Sequence, residues 1–195
     1  MTKDMARVTA VYKPSQYPGT PSEATRRDLA ELFRHLLPEQ SDPEIDKRHA
    51  GLAIAAQHPK LALELAKLSS FIAGGLPWCQ RRDLRELAIQ TLNTHFRSDY
   101  SFNARMPTAA ANGIGADLQA ALPSWQTSNL FSEEQRLIIE YTHAVVRGDV
   151  PGELFSRVVA KYGEKEAIEC TALVAFWSFW AMFLNATHPE VDSGD

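Results

Sequence analysis

Apolar residues recur at intervals of three and four over most of this 195-residue chain, which is the period of an amphipathic α-helix. The first stripe consists of four apolar residues, Leu29, Leu32, Phe33 and Leu36. Thr20, Pro21 and Glu23 precede it and predict an N-cap, a first helical residue and a capping-box acid. A second helix is predicted to begin at Asp42 and Pro43.

The same period continues through the middle of the chain between residues that start or stop helices. One stripe begins after Pro59 and stops at Gly74. Its apolar positions are Leu61, Leu65, Leu68 and Ile72. Two further helices are predicted over residues 81–96 and about 99–112, and the second ends at Gly113. The stripe of the first consists of Leu84, Leu87, Ala88, Thr91, Leu92 and His95.

The last third of the chain carries a second capping box and further helix boundaries. Ser132 with Gln135 predicts the start of a helix, and Gly148 predicts its end. Pro151 begins a short helix, and Gly163 separates that helix from a last, strongly apolar one.

These patterns together predict the fold class. No segment shows a sustained period of two bounded by hairpin turns, and strands do not alternate with helices. The sequence therefore predicts an all-α protein of roughly seven to nine helices. We expect an extended N-terminal arm over residues 1–19, one helical domain over 20–187 and an acidic tail over 188–195.

An uncharged run of 18 residues, from Cys170 to Thr187, is just long enough to span a membrane. Polar Ser178 and Asn185 interrupt the run, and no cluster of basic residues follows it. We interpret it as a helix that is apolar on all sides and buried in the core or in a subunit interface. No membrane partner is expected.

Composition and charge narrow the partners further. A net charge of -4 gives no basic face for phosphates, so no nucleic-acid partner is expected. Cys79 and Cys170 are too few for a disulfide framework and wrongly spaced for zinc, and the histidines lack metal-ligand spacing. We expect no metal. The N-terminal residues lack the apolar run of a signal peptide, which predicts a cytoplasmic protein.

Candidate chemistry is concentrated between residues 82 and 113. Polar residues occupy one strip of the first predicted helix there, at Glu86, Gln90 and Asn93. The second helix places two hydroxyls, an aromatic ring and a guanidinium on one face, from Ser98, Ser101, Phe102 and Arg105. A carboxylate, two hydroxyls and an arginine are therefore expected to converge where the two helices pack.

Simpler structural roles remain open for each of these residues. Glu86 lies beside Arg82 and Arg85, which is typical of an exposed ion pair. Ser98 is placed to cap the helix that begins at Asp99. The partner of Arg105 is then Asp99 or Asp117. His95 lies on the apolar stripe and is typical of a packed core histidine. The aromatic residues between 176 and 183 are interpreted as core and oligomer interface.

The segments Arg-Glu-Leu-Ala-Ile from Arg85, Ser-Asp-Tyr-Ser-Phe from Ser98 and Asn-Gly-Ile from Asn112 resemble the carboxymuconolactone decarboxylase and alkyl hydroperoxidase D superfamily. Redox members of that superfamily carry Glu-x11-Cys-x2-Cys-x3-His. Counting from Glu86 places Ser98 and Ser101 at the cysteine positions and Arg105 at the histidine position. A serine hydroxyl does not form the required disulfide, so thiol peroxidase activity is not expected.

The resemblance implies an alkyl hydroperoxidase D-like helical bundle. It also implies a homo-oligomer, either a trimer or a dimer of trimers. It also implies a cofactor-free decarboxylase or lyase acting on a small carboxylated or lactone substrate. On this hypothesis Arg105 binds a substrate carboxylate and Glu86 is a general acid or base. Tyr100 and Ser101 hydrogen-bond a carbonyl or enolate oxygen, and His95 is a second proton-transfer candidate. Ser98 and Phe102 complete the predicted substrate site.

Two alternatives remain at this point. In the first, the superfamily scaffold has lost its chemistry and only binds a small ligand or a partner, which the replacement of the histidine by Arg105 favours. In the second, a residual peroxidase uses Cys79 or Cys170, which requires those thiols to lie near Glu86.

Overall fold

A computed structural model of the protein describes residues 6–190, and the regular elements within this range are all helical. The all-α prediction is therefore confirmed. Part of the predicted arm, residues 1–5, and most of the predicted acidic tail, residues 191–195, lie outside the described range. The described α-helices are α1 Glu23–Leu36, α2 Ala50–Ala55, α3 Pro59–Ser70, α4 Arg82–Phe96, α5 Asp99–Ala111, α6 Ala116–Ala121, α7 Glu133–Arg147, α8 Gly152–Tyr162 and α9 Glu164–Thr187.

Short helical turns occupy several of the connections between these helices. A π-helical turn over Phe71–Gly75 follows α3. Four 3-10 turns are described, over Pro14–Gln16, Lys47–His49, Trp78–Gln80 and Leu122–Ser124. The described chain divides into two compact units, one of the residues up to Phe71 with those from Phe183 onward, and one of Ile72–Met182. The predicted boundaries of arm, domain and tail stay a prediction.

The first unit is built on the packing of α1 against α3. Its buried core includes Leu32 and Phe33 of α1 with Ala62 and Leu63 of α3. The predicted helices are present, but two of the predicted starts are wrong. The cap of α1 is Ser22 rather than Thr20, because the Ser22 hydroxyl accepts a hydrogen bond from the backbone N–H of Thr25 at 3.1 Å.

The second wrong start is Asp42. The backbone N–H of Ile45 donates to the carbonyl of Tyr12 at 2.9 Å, so this segment pairs with the N-terminal part of the chain instead of forming a helix. Helical structure begins only at the turn Lys47–His49, where the Asp46 carboxylate accepts from the N–H of Arg48.

Only part of the apolar stripe predicted on α3 is directed at the core of its unit. Leu61 and Leu68 are 45% and 44% exposed, whereas Ala62 and Ala66 are buried. Leu63 is also buried, and Leu65 of the predicted stripe is partly buried against the same core. The helix itself is confirmed, but its buried face is centred on Ala62, Leu63 and Ala66 rather than on the predicted stripe.

The second unit has α4 at its centre, packed against α5 and α7. The predicted stripe of α4 is buried at Leu84, Leu87, Ala88, Thr91 and Leu92. The capping box of α7 is confirmed: the Ser132 hydroxyl accepts from Gln135 N–H at 3.2 Å, and the Gln135 side chain accepts from Ser132 N–H at 2.9 Å. Gly148 ends α7 with a positive φ of 73°, which glycine adopts without strain.

The uncharged run forms most of α9, a helix long and apolar enough to cross a membrane by length and composition. Of its most apolar window, 56% is buried inside the described protein, as expected for a core helix. Its hydroxyl groups hydrogen-bond within the helix: Thr171 donates to the carbonyl of Ala167 at 2.7 Å, and Ser178 to that of Val174 at 2.7 Å. The same bond joins Thr187 to Phe183 at 2.8 Å.

Candidate functional site

The predicted carboxylate and arginine of α4 and α5 do meet. Glu86 lies in the middle of α4, and its side chain is 0% exposed. The Arg105 guanidinium reaches it from α5 with two bonds, Nε to Oε2 at 2.7 Å and Nη2 to Oε1 at 3.0 Å. Arg105 therefore pairs with Glu86, and the simpler pairing with Asp99 or Asp117 is wrong.

A second guanidinium lies on the same carboxylate. Arg85 donates from Nε and Nη2 to Oε1 of Glu86, at 3.1 Å and 3.0 Å. Its Nη1 atom donates to the backbone carbonyls of Ala73 at 3.1 Å and Cys79 at 3.3 Å. We call this arrangement the Arg85–Glu86–Arg105 triad. The interpretation of Glu86 as part of an exposed ion pair is therefore wrong, because its carboxylate is buried, although Arg85 is indeed one of its partners.

The triad is held next to the aromatic part of α9. The guanidinium carbon of Arg105 lies 5.8 Å from the ring centroid of Trp177, within the range of a cation–π contact. The Arg105 side chain is 26% exposed, unlike the carboxylate. Arg105 donates to Glu86 from Nε and from Nη2. The Nη1 edge of the guanidinium therefore stays available to another acceptor.

The rest of the polar strip on α4 forms a buried amide network. Gln90 donates to the carbonyl of Phe102 at 3.1 Å and to the side chain of Gln119 at 2.8 Å. Asn93 donates to Gln90 Oε1 at 3.0 Å, and Asn93 Oδ1 is buried without a hydrogen-bond partner among the described residues. Sequence reasoning missed Gln119, because nothing local marks a residue 29 positions away as a partner of Gln90.

The predicted hydroxyl groups have separate roles. Ser98 occupies the N-cap position of α5, but its hydroxyl makes no cap bond and is directed at the carbonyl of Ala181 at 3.4 Å. Ser101 lies one helical turn before Arg105 and is half-buried, as are Tyr100 and Phe102. The structure thus places these residues on the same helix as Arg105, and their roles stay a prediction.

His95 does not belong to the same place as Glu86. The two residues are nine positions apart on α4, which corresponds to about 14 Å along the helix axis. His95 is exposed, so the expectation of a packed core histidine is wrong. Its ring faces that of His143 on α7 instead, with the ring centroids 5.7 Å apart. No local pattern points to His143, which lies beyond the motif.

Both cysteines are buried. Burial raises the pKa of the Cys79 thiol to about 11, against a small opposing effect of the Arg85 charge. Burial also raises the pKa of Cys170. A thiol with a pKa near 11 is a thiolate in only about 1 molecule in 10,000 at pH 7, so these groups are poor nucleophiles. Among residues 6–190, no group of three or more His, Cys, Asp or Glu side chains is placed to hold a metal ion.

This arrangement of helices defines an all-α protein of the alkyl hydroperoxidase D-like fold. The solved structures that share it include the debrominase Bmp8, which is of the carboxymuconolactone decarboxylase and alkyl hydroperoxidase D-like superfamily. The apo structure has a TM-score of 0.65 and 17% sequence identity, over 95% of this chain and 94% of that chain.

A second structure of Bmp8 has alanine in place of one cysteine and contains 2,3,4-tribromopyrrole. It has a TM-score of 0.67 and 17% identity, over 97% of this chain and 95% of that chain. No protein-family model and no curated protein sequence matches this chain.

Proposed function

We propose that this chain is a member of the carboxymuconolactone decarboxylase and alkyl hydroperoxidase D-like superfamily that acts without thiol or cofactor on a small carboxylated or lactone substrate. The observation that carries the proposal is the triad. It fixes a partly exposed guanidinium, that of Arg105, between a fully buried carboxylate and the ring of Trp177. A rigid guanidinium with a free edge is a suitable group to bind a carboxylate or a developing enolate oxygen.

The energetics of the triad favour a functional reason for it. Removing a carboxylate and two guanidinium groups from water costs several kcal/mol per ion, and apolar residues of similar volume often replace such groups without loss of stability. Stability alone is therefore a weak reason for charge at this position. A charged group held in one orientation is what substrate binding needs.

The geometry assigns different roles to Glu86 and Arg105. Four N–H donors converge on the two oxygens of Glu86, three on Oε1 and one on Oε2. A carboxylate with this set of donors orients guanidinium groups, so we propose Glu86 as a positioning residue rather than as the general acid or base. Arg105 is then the group that contacts the substrate.

Decarboxylation fits a site of this kind without a cofactor. When the C–C bond to a carboxylate breaks, CO2 leaves and its electron pair passes into a neighbouring carbonyl, which becomes an enolate. Arg105 stabilises that oxyanion, and Tyr100 or Ser101 hydrogen-bonds the same oxygen. A proton from water completes the product. The tribromopyrrole in Bmp8 supports a small planar ring as the type of ligand.

A second candidate is a scaffold that binds such a ligand without turnover. The observation that favours it is that Arg105, at the position of the superfamily histidine, is already engaged with Glu86. Residual peroxidase activity through Cys79 or Cys170 has no comparable support, because burial raises the pKa of both thiols.

The experiment uses a panel of carboxylated lactones and β-keto acids, with CO2 release and the loss of substrate absorbance as readouts. The test variant is Arg105→Lys, which keeps a positive charge next to Glu86 but replaces the planar guanidinium by an ammonium group. The matched control is Arg27→Gln on α1, an exposed arginine outside the site. We expect Arg105→Lys to lower kcat/KM at least about tenfold, equivalent to one charge-assisted hydrogen bond, and the control to leave it unchanged.

Three outcomes separate the candidates. Turnover that Arg105→Lys does not reduce excludes the triad as the site. Saturable binding without turnover of any panel member supports the binding scaffold. Peroxide consumption that disappears when Cys79 and Cys170 are both replaced by serine supports the peroxidase instead.

A further inference from the structure

A cleft separate from the triad opens where α4 and α7 end. Its volume is about 480 Å³, within the range of ligand pockets for small molecules. The lining includes His95 at the end of α4, His143 and Arg147 on α7, and Trp125 next to the turn Leu122–Ser124. We call it the His95–His143 cleft. All of its lining residues belong to the Ile72–Met182 unit.

Two imidazoles and one indole provide the flat surfaces of this cleft. The rings of His95 and His143 are tilted by 58°, with their centroids 5.7 Å apart. The Trp125 ring stacks on the His143 ring, with the two centroids 6.0 Å apart and an interplanar angle of 19°. Neither imidazole has a hydrogen-bond partner among residues 6–190, so their ring nitrogens remain available to a ligand. A planar molecule matches both features.

The charge around the cleft favours an anion. Arg147 lies in the last turn of α7, and in the described range its guanidinium has no carboxylate within ion-pair distance. Glu140 also lines the cleft, but its carboxylate is paired with Arg157 at 2.9 Å. The balance of charge at the cleft is therefore set by Arg147.

The titration of the two histidines agrees with this description. Burial lowers the pKa of His143 to about 4, with smaller contributions from His95 and from the positive charge of Arg147. His95 is exposed overall, but partial burial of its ring, followed by the charge of Arg147, also lowers its pKa. Both imidazoles are thus neutral at pH 7, and each offers one N–H donor and one nitrogen acceptor.

We infer that the His95–His143 cleft is a binding site for a small planar aromatic carboxylate. Its carboxylate pairs with Arg147, its ring contacts Trp125, and a neutral imidazole N–H donates to it. The site does not depend on the proposed function, because the cleft and the triad share no residue and lie at different positions along α4.

The probe is benzoate, with benzyl alcohol as the uncharged compound of the same ring size. Calorimetric titration is carried out on the full chain and on Arg147→Gln. We expect saturable benzoate binding with Kd below about 1 mM. In Arg147→Gln the affinity is expected to be at least about tenfold lower, which corresponds to the loss of one charge-assisted hydrogen bond. The control Arg27→Gln removes the same charge from an exposed position on α1 and is expected to bind as the wild type does.

The location of the ligand is tested by NMR of the imidazole ring protons. Benzoate is expected to shift the signals of His95 and His143, identified with His95→Asn and His143→Asn, and not those of His35 on α1. Three results overturn the inference: no saturation by benzoate, equal affinity for benzyl alcohol, or unchanged affinity in Arg147→Gln. Binding that leaves the signals of His95 and His143 in place also overturns it, since the ligand then occupies another site such as the triad.

Discussion

Replacing Glu86 by glutamine tests the physical description of the triad directly. The substitution keeps the shape of the side chain and removes its charge, so that Arg85 and Arg105 face each other without a counter-ion. Removing one partner of a buried ion pair costs about 3–5 kcal/mol. Arg85 and Arg105 are 13% and 26% exposed, so water screens them in part and the lower end of that range applies.

We therefore expect Glu86→Gln to lower the free energy of unfolding by about 3 kcal/mol. For a chain of this length, about 2–4 °C of Tm corresponds to each kcal/mol, which gives a decrease of about 6–12 °C. The assay is urea unfolding followed by far-UV circular dichroism, with a thermal scan beside it.

The matched control is Glu140→Gln, which removes the same charge from an ion pair that is 41% and 50% exposed. An exposed pair contributes only about 0–1 kcal/mol, so this variant is expected to unfold close to the wild type. The double variant Glu86→Gln with Arg105→Gln is expected to lose about 2 kcal/mol less than the sum of its single changes. Additive losses, or a cost of Glu86→Gln equal to that of the control, would refute the reasoning.

Three shorter predictions concern other parts of the chain. The folded-state pKa of His143 near 4 is below its ordinary value, so unfolding should take up a proton and stability should decrease as pH falls from about 6.5 towards 4; His143→Gln should flatten this decrease in urea midpoints. Iodoacetamide should label Cys79 and Cys170 only after unfolding, and labelling of the folded chain at pH 7 contradicts their burial. Ser132→Ala should cost about 1 kcal/mol by loss of the bond from Gln135, whereas an unchanged Tm argues against the cap.

Local signals in the sequence were enough to predict most helices of the second unit, although not the short α6. The period of Leu84 to Leu92 and the capping pair Ser132 and Gln135 act over a few residues, so the sequence alone identifies them. The cap of α1 was misplaced because Ser22 and Thr20 are both good capping residues, and only the backbone conformation distinguishes them. The predicted start at Asp42 failed because a partner far away in sequence, Tyr12, holds the segment extended.

The sequence is sufficient to predict which residues form the candidate site, but not how they are arranged. Helical spacing brings Glu86 and Arg105 to facing surfaces, and the structure confirms that they meet. Spacing does not report burial, so the full burial of Glu86 and the second bond from Arg85 to the backbone were not foreseen. His95 is predicted as a second proton-transfer group or a core histidine, and its contact with His143 is not predictable because His143 comes from another helix 48 positions later.

The hydrogen bonds from hydroxyl groups to carbonyls within α9 determine which residue types those positions tolerate. Ser178 and Thr187 use their hydroxyls on carbonyls four residues back, so these side chains present methylene or methyl groups to their surroundings. Neighbouring elements then need no matching polar group, and alanine or valine would serve there nearly as well. Thr171 differs, because its oxygen also shares a hydrogen bond with the Tyr141 hydroxyl at 2.6 Å. Across related sequences, positions 178 and 187 should vary freely among small residues, and position 171 should vary together with 141.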